Sequence, residues 1–546
     1  MIDSADYIIV GAGSAGCVLA SELSADPDNT VVVIESGPMD KSPLIDMPRG
    51  IGKLLAPGNP HVWAYDVHRP GGAKETWLKG HVIGGSSSIN GLVYARGFAG
   101  DYNRWAGELG CAGWSWADLL PCFKANEHHE FGESEERGVG GPLRISGHPP
   151  DISGPGPKSL CEAFLDACDQ AGTPRVPDTN NAADGGAGYQ PRTIWEGTRQ
   201  SAAKAFLHPA MTRPNLTVIS DTRVERVLFE GTRAVGVAVR DKSGAGHTIA
   251  SNREVILCGG AIESPKLLQL SGIGPAERLK EAGIQVVADL PQVGQNLREH
   301  CNFMVQYRVT RGSLNSAFQG PRLLWNLLRY LVTRSGPLAH GSQEMLAYIK
   351  SREGLDRPDC QLGVGLWSLH NGPKGPELDK EPGFTVGGYH MHPRSQGQLY
   401  ITSADAGDQP HIEVNYLSDP EDQAASVAMV RYIRRIAGQP ALKDFIVEEV
   451  QPGPDVQSDD EILEAYKTLG ATAYHVSGTC RMGSDQESVV DPQTRVRGVD
   501  GLRVVDTSIF PELPSGNTNA PAMAAGRRAA QFILEDRNTG EQRKAG

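Results

Sequence analysis

Two short stretches near the C-terminus carry side chains that could move a proton. His475 lies among small residues in ATAYHVSGTCRMG, and Asn517 and Asn519 precede Pro521 and an alanine-rich segment. A neutral imidazole accepts a proton readily near neutral pH, because its unperturbed pKa is about 6.5. Pro521 suits the first turn of a helix, so we expect the helix to begin close to Asn519, with free N–H groups that favour an anion. Taken alone, the same residues fit a core histidine and an ordinary helix-cap asparagine.

A glycine-rich turn near the N-terminus predicts where a dinucleotide binds. The apolar run Tyr7 to Val10 is typical of a buried strand, and Gly11, Gly13 and Gly16 follow it at once. Such glycines permit a tight turn, the approach of the backbone to a pyrophosphate, and close packing of the next helix. A second apolar run ends in Glu35, at the distance expected for a ribose-binding acid. These features alone leave NAD and FAD equally open.

A second glycine-rich stretch, GHVIGGSSSINGLVYARG, covers residues 80–97. Gly84 and Gly85 allow the backbone to approach a ligand closely, and the three serines that follow offer small hydroxyl donors. Such a segment suits a phosphate or the edge of a flat cofactor ring. A Gly/Ser loop without a ligand has the same composition.

The elements that must position these residues follow two different patterns. The N-terminal region and the region from residue 216 contain short β-rich runs with helical patterns after them, which is typical of a nucleotide-binding α/β domain. The middle of the chain contains five strand patterns, at 301–309, 342–350, 359–369, 383–391 and 397–403. Two helical patterns, Pro321 to Arg334 and Pro420 to Gln439, flank them. This arrangement predicts an antiparallel sheet with helices packed on one face.

We therefore expect an α/β protein, in which a Rossmann-like dinucleotide-binding domain carries an inserted α+β substrate domain built on an antiparallel sheet. The dinucleotide-binding domain is expected to comprise residues 1–155, 196–310 and 465–546, of which the last part carries the catalytic residues. The substrate domain is expected at 311–464, with a first part and connection at 156–195.

The bulk composition argues against several classes of protein. The 546 residues carry 65 acidic and 52 basic side chains, a net charge of −13, whereas a nucleic-acid binder needs a basic surface. No apolar stretch approaches the roughly 18 residues of a membrane span. The first strand begins six residues from Met1, too close for a signal peptide, and the nine cysteines lack CxxC or zinc-ligand spacing. The composition predicts a cytoplasmic protein with reduced thiols and no metal site; it does not predict an oligomeric state.

In their order along the chain, the motifs resemble those of the glucose–methanol–choline (GMC) oxidoreductases, which are FAD-dependent alcohol dehydrogenases and oxidases. GAGSAG with Glu35 resembles the FAD fingerprint, while Gly80 to Asn90 and Gly260 to Gly274 resemble the two family signatures. The segment Leu290 to His300 resembles the one that links the two domains, and YHVSGTCRMG resembles the one with the catalytic histidine. The resemblance covers essentially the whole chain, and it implies FAD as the cofactor.

The resemblance also implies which residues contact FAD. Those at the pyrophosphate would be Gly11, Gly13, Ser14, Gly16 and Asp506, the last also near the ribityl chain. Those at the flavin would be Gly85, Ser86, Asn90 and Asn519. Glu35 would hold the adenosine ribose, and Val224 would meet the adenine through its backbone. Some members attach FAD to a histidine at the position of Ile89, so we expect non-covalent FAD here.

For catalysis, the resemblance implies that His475 is the base. The second polar residue of the active site is His in some members and Asn in others, and NTNAP places Asn519 there, as in the choline-oxidising subtype. His300 is expected to be structural.

The function implied is oxidation of a small alcohol by proton abstraction at His475 and hydride transfer to flavin N5. We expect a primary aliphatic or aromatic alcohol rather than choline, because no clear cluster of aromatic and acidic residues for a quaternary ammonium stands out in the middle domain. Oxygen or a quinone-like carrier could reoxidise the flavin. Two alternatives are a hydroxynitrile-lyase-like enzyme with a non-redox flavin and a catalytically idle flavin-binding protein.

Overall fold

The computed structural model describes residues 2–147, 155–372 and 375–545. The helices are α1 Ser14–Leu23, α2 Pro43–Asp46, α3 Ile51–Leu54, α4 Ala99–Gly107, α5 Trp116–Asn126, α6 Pro155–Gln170, α7 His208–Ala210, α8 Gly260–Leu270, α9 Ala276–Glu281, α10 Gly320–Thr333, α11 Pro420–Ala437, α12 Asp459–Leu469 and α13 Asn519–Ala545. The strands are β1 Ser4–Val10, β2 Val31–Ile34, β3 Val62–His68, β4 Lys74–Gly80, β5 Glu127–His129, β6 Leu143–Ile145, β7 Gly186–Tyr189, β8 Ile194–Trp195, β9 Thr198–Arg199, β10 Leu216–Ile219, β11 Thr222–Glu230, β12 Arg233–Asp241, β13 Gly246–Leu257, β14 Ile273–Gly274, β15 Ala288–Asp289, β16 Cys301–Val309, β17 Met345–Ile349, β18 Cys360–Gly365, β19 Leu369–Gly372, β20 Gly375–Leu378, β21 Gly383–His390, β22 Gln398–Tyr400, β23 His411–Glu413, β24 Ile446–Gln451, β25 Ala471–Thr472 and β26 Leu502–Val504.

The first large sheet has a parallel part formed by β10, β2, β1, β13 and β26 in that order, and β12 and β11 extend it from β13 as an antiparallel meander. All four residues of β2 are buried, as are Ile8 and Ile9 of β1. Such continuous apolar strands are typical of a parallel sheet that is covered on both faces. The carboxyl ends of its strands form the edge where a dinucleotide binds in this architecture.

The second large sheet is antiparallel and has the order β24, β16, β21, β18, β17 and β7, with β25 paired to the start of β16. The two sheets confirm the predicted α/β fold with a Rossmann-like part and an antiparallel part. β16 belongs to the antiparallel sheet, so the boundary expected at residue 310 lies too far along the chain. The other domain boundaries stay a prediction.

The two long helices of the middle region pack differently. α11 buries Met429, Val430 and Ile433 in the same apolar core as the antiparallel sheet, as predicted. α10 buries Asn326 and Tyr330 instead, and Leu324, Leu328 and Leu331 face solvent. The prediction that both helices pack on the sheet is therefore wrong for α10. Among the described residues, no helix combines the length and the apolar character needed to cross a bilayer.

Candidate active site

The turn after β1 requires glycine for its own packing at two positions. Gly11 has φ +104°, and a Cβ atom on it would lie 2.5 Å from the carbonyl oxygen of Cys258. A Cβ atom on Gly16 would lie 2.1 Å from the carbonyl oxygen of Gly11. At Gly13 the nearest such atom is 3.7 Å away, so this position stays open. Because no side chain caps α1 after Gly13, the first N–H groups of the helix are available to an anion.

Glu35 lies at the end of β2, directly beside this turn. Its Oε2 accepts a hydrogen bond from Ala12 N at 2.9 Å, and its Oε1 accepts one from Gly37 N at 2.9 Å. Burial raises the pKa of this carboxyl group, while these backbone donors lower it. A carboxylate oxygen can accept more than one hydrogen bond, so Glu35 keeps acceptor capacity for a ribose hydroxyl.

The second glycine-rich segment contacts the first. Gly85 has φ +52°, and a Cβ atom on it would lie 2.8 Å from Cα of Gly13. Ser86 Oγ accepts a hydrogen bond from Gly80 N, and Asn90 Oδ1 accepts one from Arg199 Nη1 at 2.7 Å. The structure thus brings the residues predicted to lie along the flavin against the residues predicted to face the pyrophosphate.

Two residues assigned to FAD by resemblance have contacts within the protein. Asp506 accepts hydrogen bonds from Gly260 N and Ser264 Oγ, and so holds the start of α8. Val224 lies in β11 opposite Val239, next to a bulge in the strand pairing. The contacts proposed for both residues with the cofactor stay predictions.

The starts of two helices meet at Asn519. α13 begins at this residue, as expected, and Ser14 Oγ at the start of α1 donates a hydrogen bond to Asn519 Oδ1 at 2.7 Å. Two helix N-termini therefore converge, and each carries a partial positive charge. Together with the uncapped first turn of α1 and the open position at Gly13, this donor set fits the anionic groups of a dinucleotide such as FAD.

The neighbour of His475 is Asn517, and not Asn519 as predicted. Asn517 Nδ2 lies 3.0 Å from His475 Nε2, whereas Asn519 faces Ser14. The correction has a simple cause. Asn517 lies in the loop that precedes α13, so its side chain is free to point towards the imidazole, while Asn519 already belongs to the first turn of the helix.

A chain of hydrogen bonds fixes the protonation of both imidazoles in the cluster. His300 Nε2 lies 2.8 Å from the carbonyl oxygen of Met391, which only accepts, so this nitrogen carries the proton. In the neutral ring His300 Nδ1 is then an acceptor, and it receives the Nδ1–H of His475 at 2.9 Å. His475 Nε2 is consequently an acceptor, and it receives a hydrogen bond from Asn517 Nδ2 at 3.0 Å. Gln361 Nε2 donates to Asn517 Oδ1 at 3.0 Å and orients that amide.

The electrostatic surroundings keep His475 neutral. Its side chain is buried, and burial together with the positive charge of Lys79 lowers the pKa of His475 to about 3. Burial and the neighbouring His475 lower the pKa of His300 well below its usual value. Glu299 accepts a hydrogen bond from His475 N at 2.8 Å, and burial raises the pKa of this carboxyl group although Lys79 opposes the rise.

Antiparallel pairing assembles this cluster from segments far apart in the sequence. Thr472 in β25 pairs with Cys301 at the start of β16, and Ser477 pairs with Arg298. Residues 298–302 and 471–477 therefore run side by side, which puts the Glu299 carboxylate and the His300 ring against His475. The ring of His300 also stacks on Tyr389, with centroids 4.3 Å apart.

Sequence reasoning assigned no role to Glu299, Lys79 or Gln361, and it assigned only a structural one to His300. Glu299 and His300 end the family-like segment LPQVGQNLREH, and this position was the one available signal for them. Nothing local marks Lys79, whose Nζ donates to the carbonyl oxygen of Tyr474 at 2.9 Å.

One further group among the described residues has side chains of the type that bind metals. Ligand atoms of Asp359, Cys360 and His390 lie within 4.8 Å of one another. The side chains of this group already have partners or are protonated within the protein. Both oxygens of Asp359 accept hydrogen bonds from Ser351. Burial raises the pKa of the Cys360 thiol well above its usual value, so the thiol keeps its proton. We assign it no metal.

Comparisons with known proteins show the family to which the chain belongs. The family description GMC oxidoreductase matches residues 5–302 and, for its C-terminal part, residues 393–526. Mitochondrial choline dehydrogenase from Homo sapiens is 43% identical over 548 residues, which cover 97% of this chain and 90% of that protein. Alcohol dehydrogenase (acceptor) from Pseudomonas putida is 40% identical over 536 residues, which cover 97% of this chain and 95% of that protein.

Among solved structures, pyridoxine 4-oxidase from Mesorbium loti has a TM-score of 0.86 and 30% sequence identity, covering 97% of this chain and 99% of that one. The two proteins thus share a fold over nearly the whole of both chains. These matches confirm the resemblance inferred from the motifs: the chain belongs to the GMC oxidoreductase family.

Proposed function

We propose that this enzyme carries out the FAD-dependent oxidation of a primary alcohol to the aldehyde, with His475 as the base and Asn517 as the residue that orients the hydroxyl group. The observation that carries the proposal is that His475 Nε2 is an acceptor beside the amide of Asn517, because His475 donates its other ring proton to His300 and His300 donates to Met391. A base whose acceptor atom is set in advance needs no reorientation before it takes a proton.

When bound, FAD would supply the oxidant, that is, an acceptor for the hydride that leaves the carbinol carbon. His475 Nε2 accepts the hydroxyl proton, so the O–H bond breaks as the carbonyl forms. Asn517 Nδ2, which lies 3.0 Å from that nitrogen, donates to the substrate oxygen as negative charge develops on it. Asn519 and the first turn of α13 would add positive potential for the anionic groups of the cofactor.

The lowered pKa of His475 means that its imidazole is neutral before a substrate binds. A histidine that remains neutral at physiological pH keeps its lone pair available, and the nearby charge of Lys79 favours the neutral form. The proton gained from the alcohol would then leave readily, because burial disfavours the imidazolium.

The substrate proposed is an uncharged primary alcohol. The named relatives act on choline and on an alcohol, and choline is itself a primary alcohol. Glu299 is the acid in contact with the His475 backbone, and its two oxygens already accept hydrogen bonds from His475 N and Thr472 Oγ1. We therefore expect uncharged aliphatic or aromatic alcohols to reduce the flavin faster than choline does in a panel of substrates under anaerobic conditions.

We propose that FAD is held without a covalent bond, since Ile89 is buried among Ile45, Leu54 and Val82 and offers no nucleophile. Acid precipitation should then release the flavin into the supernatant. The electron acceptor is oxygen or a quinone-like carrier, and the yield of hydrogen peroxide under air distinguishes the two.

The test of the catalytic assignment is the rate of anaerobic flavin reduction in His475→Ala. We expect FAD to remain bound and the rate to fall about 10²- to 10⁴-fold, the range of general-base catalysis. His208→Ala is the matched control, because His208 contacts Asp40 and takes no part in the cluster. A variant at position 475 that reduced its flavin at the parental rate would refute the role of His475.

A further inference from the structure

The outer face of α10 is apolar and exposed. Five of its side chains are more than half accessible to solvent: Leu324 (69%), Trp325 (66%), Leu328 (54%), Leu331 (56%) and Val332 (74%). At 3.6 residues per turn, these five positions fall within an arc of about 120° on the helix surface. Contiguous exposed apolar surface of this kind marks an interaction site in a folded protein.

Two residues on the opposite side of α10, Asn326 and Tyr330, contact the rest of the protein and keep the apolar face exposed. Asn326 Nδ2 donates to the carbonyl oxygen of Ala317 at 2.9 Å on the inner side of the helix. Tyr330, fully buried on the same side, packs against Met47, Leu338 and Ala339. The helix therefore cannot roll its leucines into the core without burying charged residues and losing these contacts. We name the five exposed side chains the α10 face.

The segment that carries the α10 face has a charge opposite in sign to that of the whole protein. Between Glu299 and Glu344 the sequence contains no acidic residue and five arginines, although the chain carries a net charge of −13. Arg322 and Arg329 lie along one border of the α10 face, and Arg334 follows its C-terminal end. In the part of the chain that the structure describes, no carboxylate lies within ion-pair distance of these three guanidinium groups.

The apolar α10 face and the arginines beside it distinguish between two kinds of partner, a second protein surface and a lipid leaflet. A helix of 14 residues is about 21 Å long and about 10 Å wide, so its outer half offers far less than the roughly 800 Å² per partner of a stable protein interface. Symmetric pairing of two copies would also bring their arginine borders together without an acid from this segment to neutralise them. An apolar face with tryptophan and leucine, bordered by arginines, instead fits the boundary between the anionic headgroups and the acyl chains of a lipid leaflet.

We propose that α10 binds the surface of a membrane that contains anionic phospholipids. The α10 face enters the headgroup–acyl boundary, and Arg322 and Arg329 contact lipid phosphates, their aliphatic stems lying along the apolar border. The helix lies in the plane of the leaflet, held to the enzyme by Asn326 and Tyr330. This binding does not depend on the catalytic roles proposed above, so each proposal can fail without the other.

The first test is co-sedimentation of the holoenzyme with vesicles. We expect binding to vesicles of phosphatidylcholine mixed with phosphatidylglycerol, weaker binding to phosphatidylcholine alone, and a decrease with added salt. The triple variant Leu324→Ser, Leu328→Ser, Leu331→Ser should bind about 100-fold more weakly. Val139→Ser, Met211→Ser and Val447→Ser, which replace exposed apolar residues elsewhere, form the matched control and should bind like the parent. Arg322→Gln with Arg329→Gln should weaken binding to the mixed vesicles about 30-fold and binding to neutral vesicles much less.

The second test does not need the triple variant to fold. Lipids brominated on the acyl chain should quench part of the tryptophan fluorescence of the parent, and Trp325→Phe should bind vesicles while losing that quenching. Flavin reduction by a water-soluble alcohol should be unchanged in all the α10 variants.

The proposal is overturned if the parent stays in the supernatant with mixed vesicles, if the triple variant binds as tightly as the parent, or if Trp325→Phe is quenched like the parent. A dimer in sedimentation velocity that the triple variant abolishes would assign the face to a second copy and would also overturn it.

Discussion

The cluster around His475 and the α10 face depart from the usual distribution of side chains in opposite directions. At His475, two histidines, a glutamate and an amide are withdrawn from water, and hydrogen bonds connect them. On α10, leucine, tryptophan and valine side chains are left in solvent, while an asparagine and a tyrosine are buried. Burying titratable groups costs free energy unless they are paired, and exposing apolar surface forgoes the free energy of burial. Both departures agree with the two proposals above, in which the cluster around His475 contacts a substrate and the α10 face contacts a lipid surface.

After the loss of His475 itself, the largest effect on the polar side of this comparison is expected at Asn517. Asn517→Ala removes the amide that faces His475 Nε2, and flavin reduction should slow about 10²- to 10³-fold, as for the loss of one preorganised donor. Anaerobic stopped-flow absorbance measures it. Asn519→Ala is the internal control, because Asn519 contacts Ser14: it should weaken FAD retention more than it slows reduction. Equal loss of rate in both variants would restore Asn519 as the catalytic amide.

A smaller effect, on the free energy of unfolding, is expected when the pH is lowered. His475 has a pKa far below the value of about 6.5 that it regains on unfolding, so the unfolded chain binds a proton in that interval that the folded chain does not. The stability this histidine contributes is therefore present above pH 6.5 and is lost progressively as the pH falls below it. From pH 7 to pH 5, the free energy of unfolding of the parent should fall about 2 kcal/mol more than that of His475→Gln.

Urea unfolding at both pH values, with saturating FAD, measures that difference. Leu328→Ser should show the same pH dependence as the parent, because it changes no titratable group. A parent and a His475→Gln variant that lose stability in parallel would show that His475 titrates normally in the folded protein.

The smallest change in the free energy of unfolding is expected from a substitution on α10 itself. Leu328→Ala should change the free energy of unfolding by less than about 0.5 kcal/mol, since the side chain is mostly in solvent. Ile433→Ala on α11 is the matched control, and it should cost about 2–5 kcal/mol because Ile433 is 1% exposed in the core of the antiparallel sheet. If Leu328→Ala destabilised the protein as strongly as Ile433→Ala, the α10 face would be packed against the protein and unavailable to a membrane.

The two middle-region helices show how far a sequence pattern can predict packing. Both were predicted within two residues of their observed ends, because proline at the first turn and helical spacing of apolar residues are local signals. The same spacing does not say what the apolar side of a helix contacts. On α11 that side meets the sheet, and on α10 it meets solvent, because Asn326 and Tyr330 hold the opposite side of α10 against the protein.

The sequence by itself determined the strand, the glycine turn, the position of Glu35 after β2 and the start of α13, because each of these depends on the geometry of a few consecutive residues. The resemblance of its motifs to the family, rather than local geometry, named His475 as the candidate base. Only the tertiary structure decided that Asn517 is the partner of His475, and that Glu299 and His300 lie behind it. These choices depend on how β25 pairs with β16 and where α13 begins relative to that pair, and hydrogen bonds between segments some 175 residues apart leave no local pattern in the sequence.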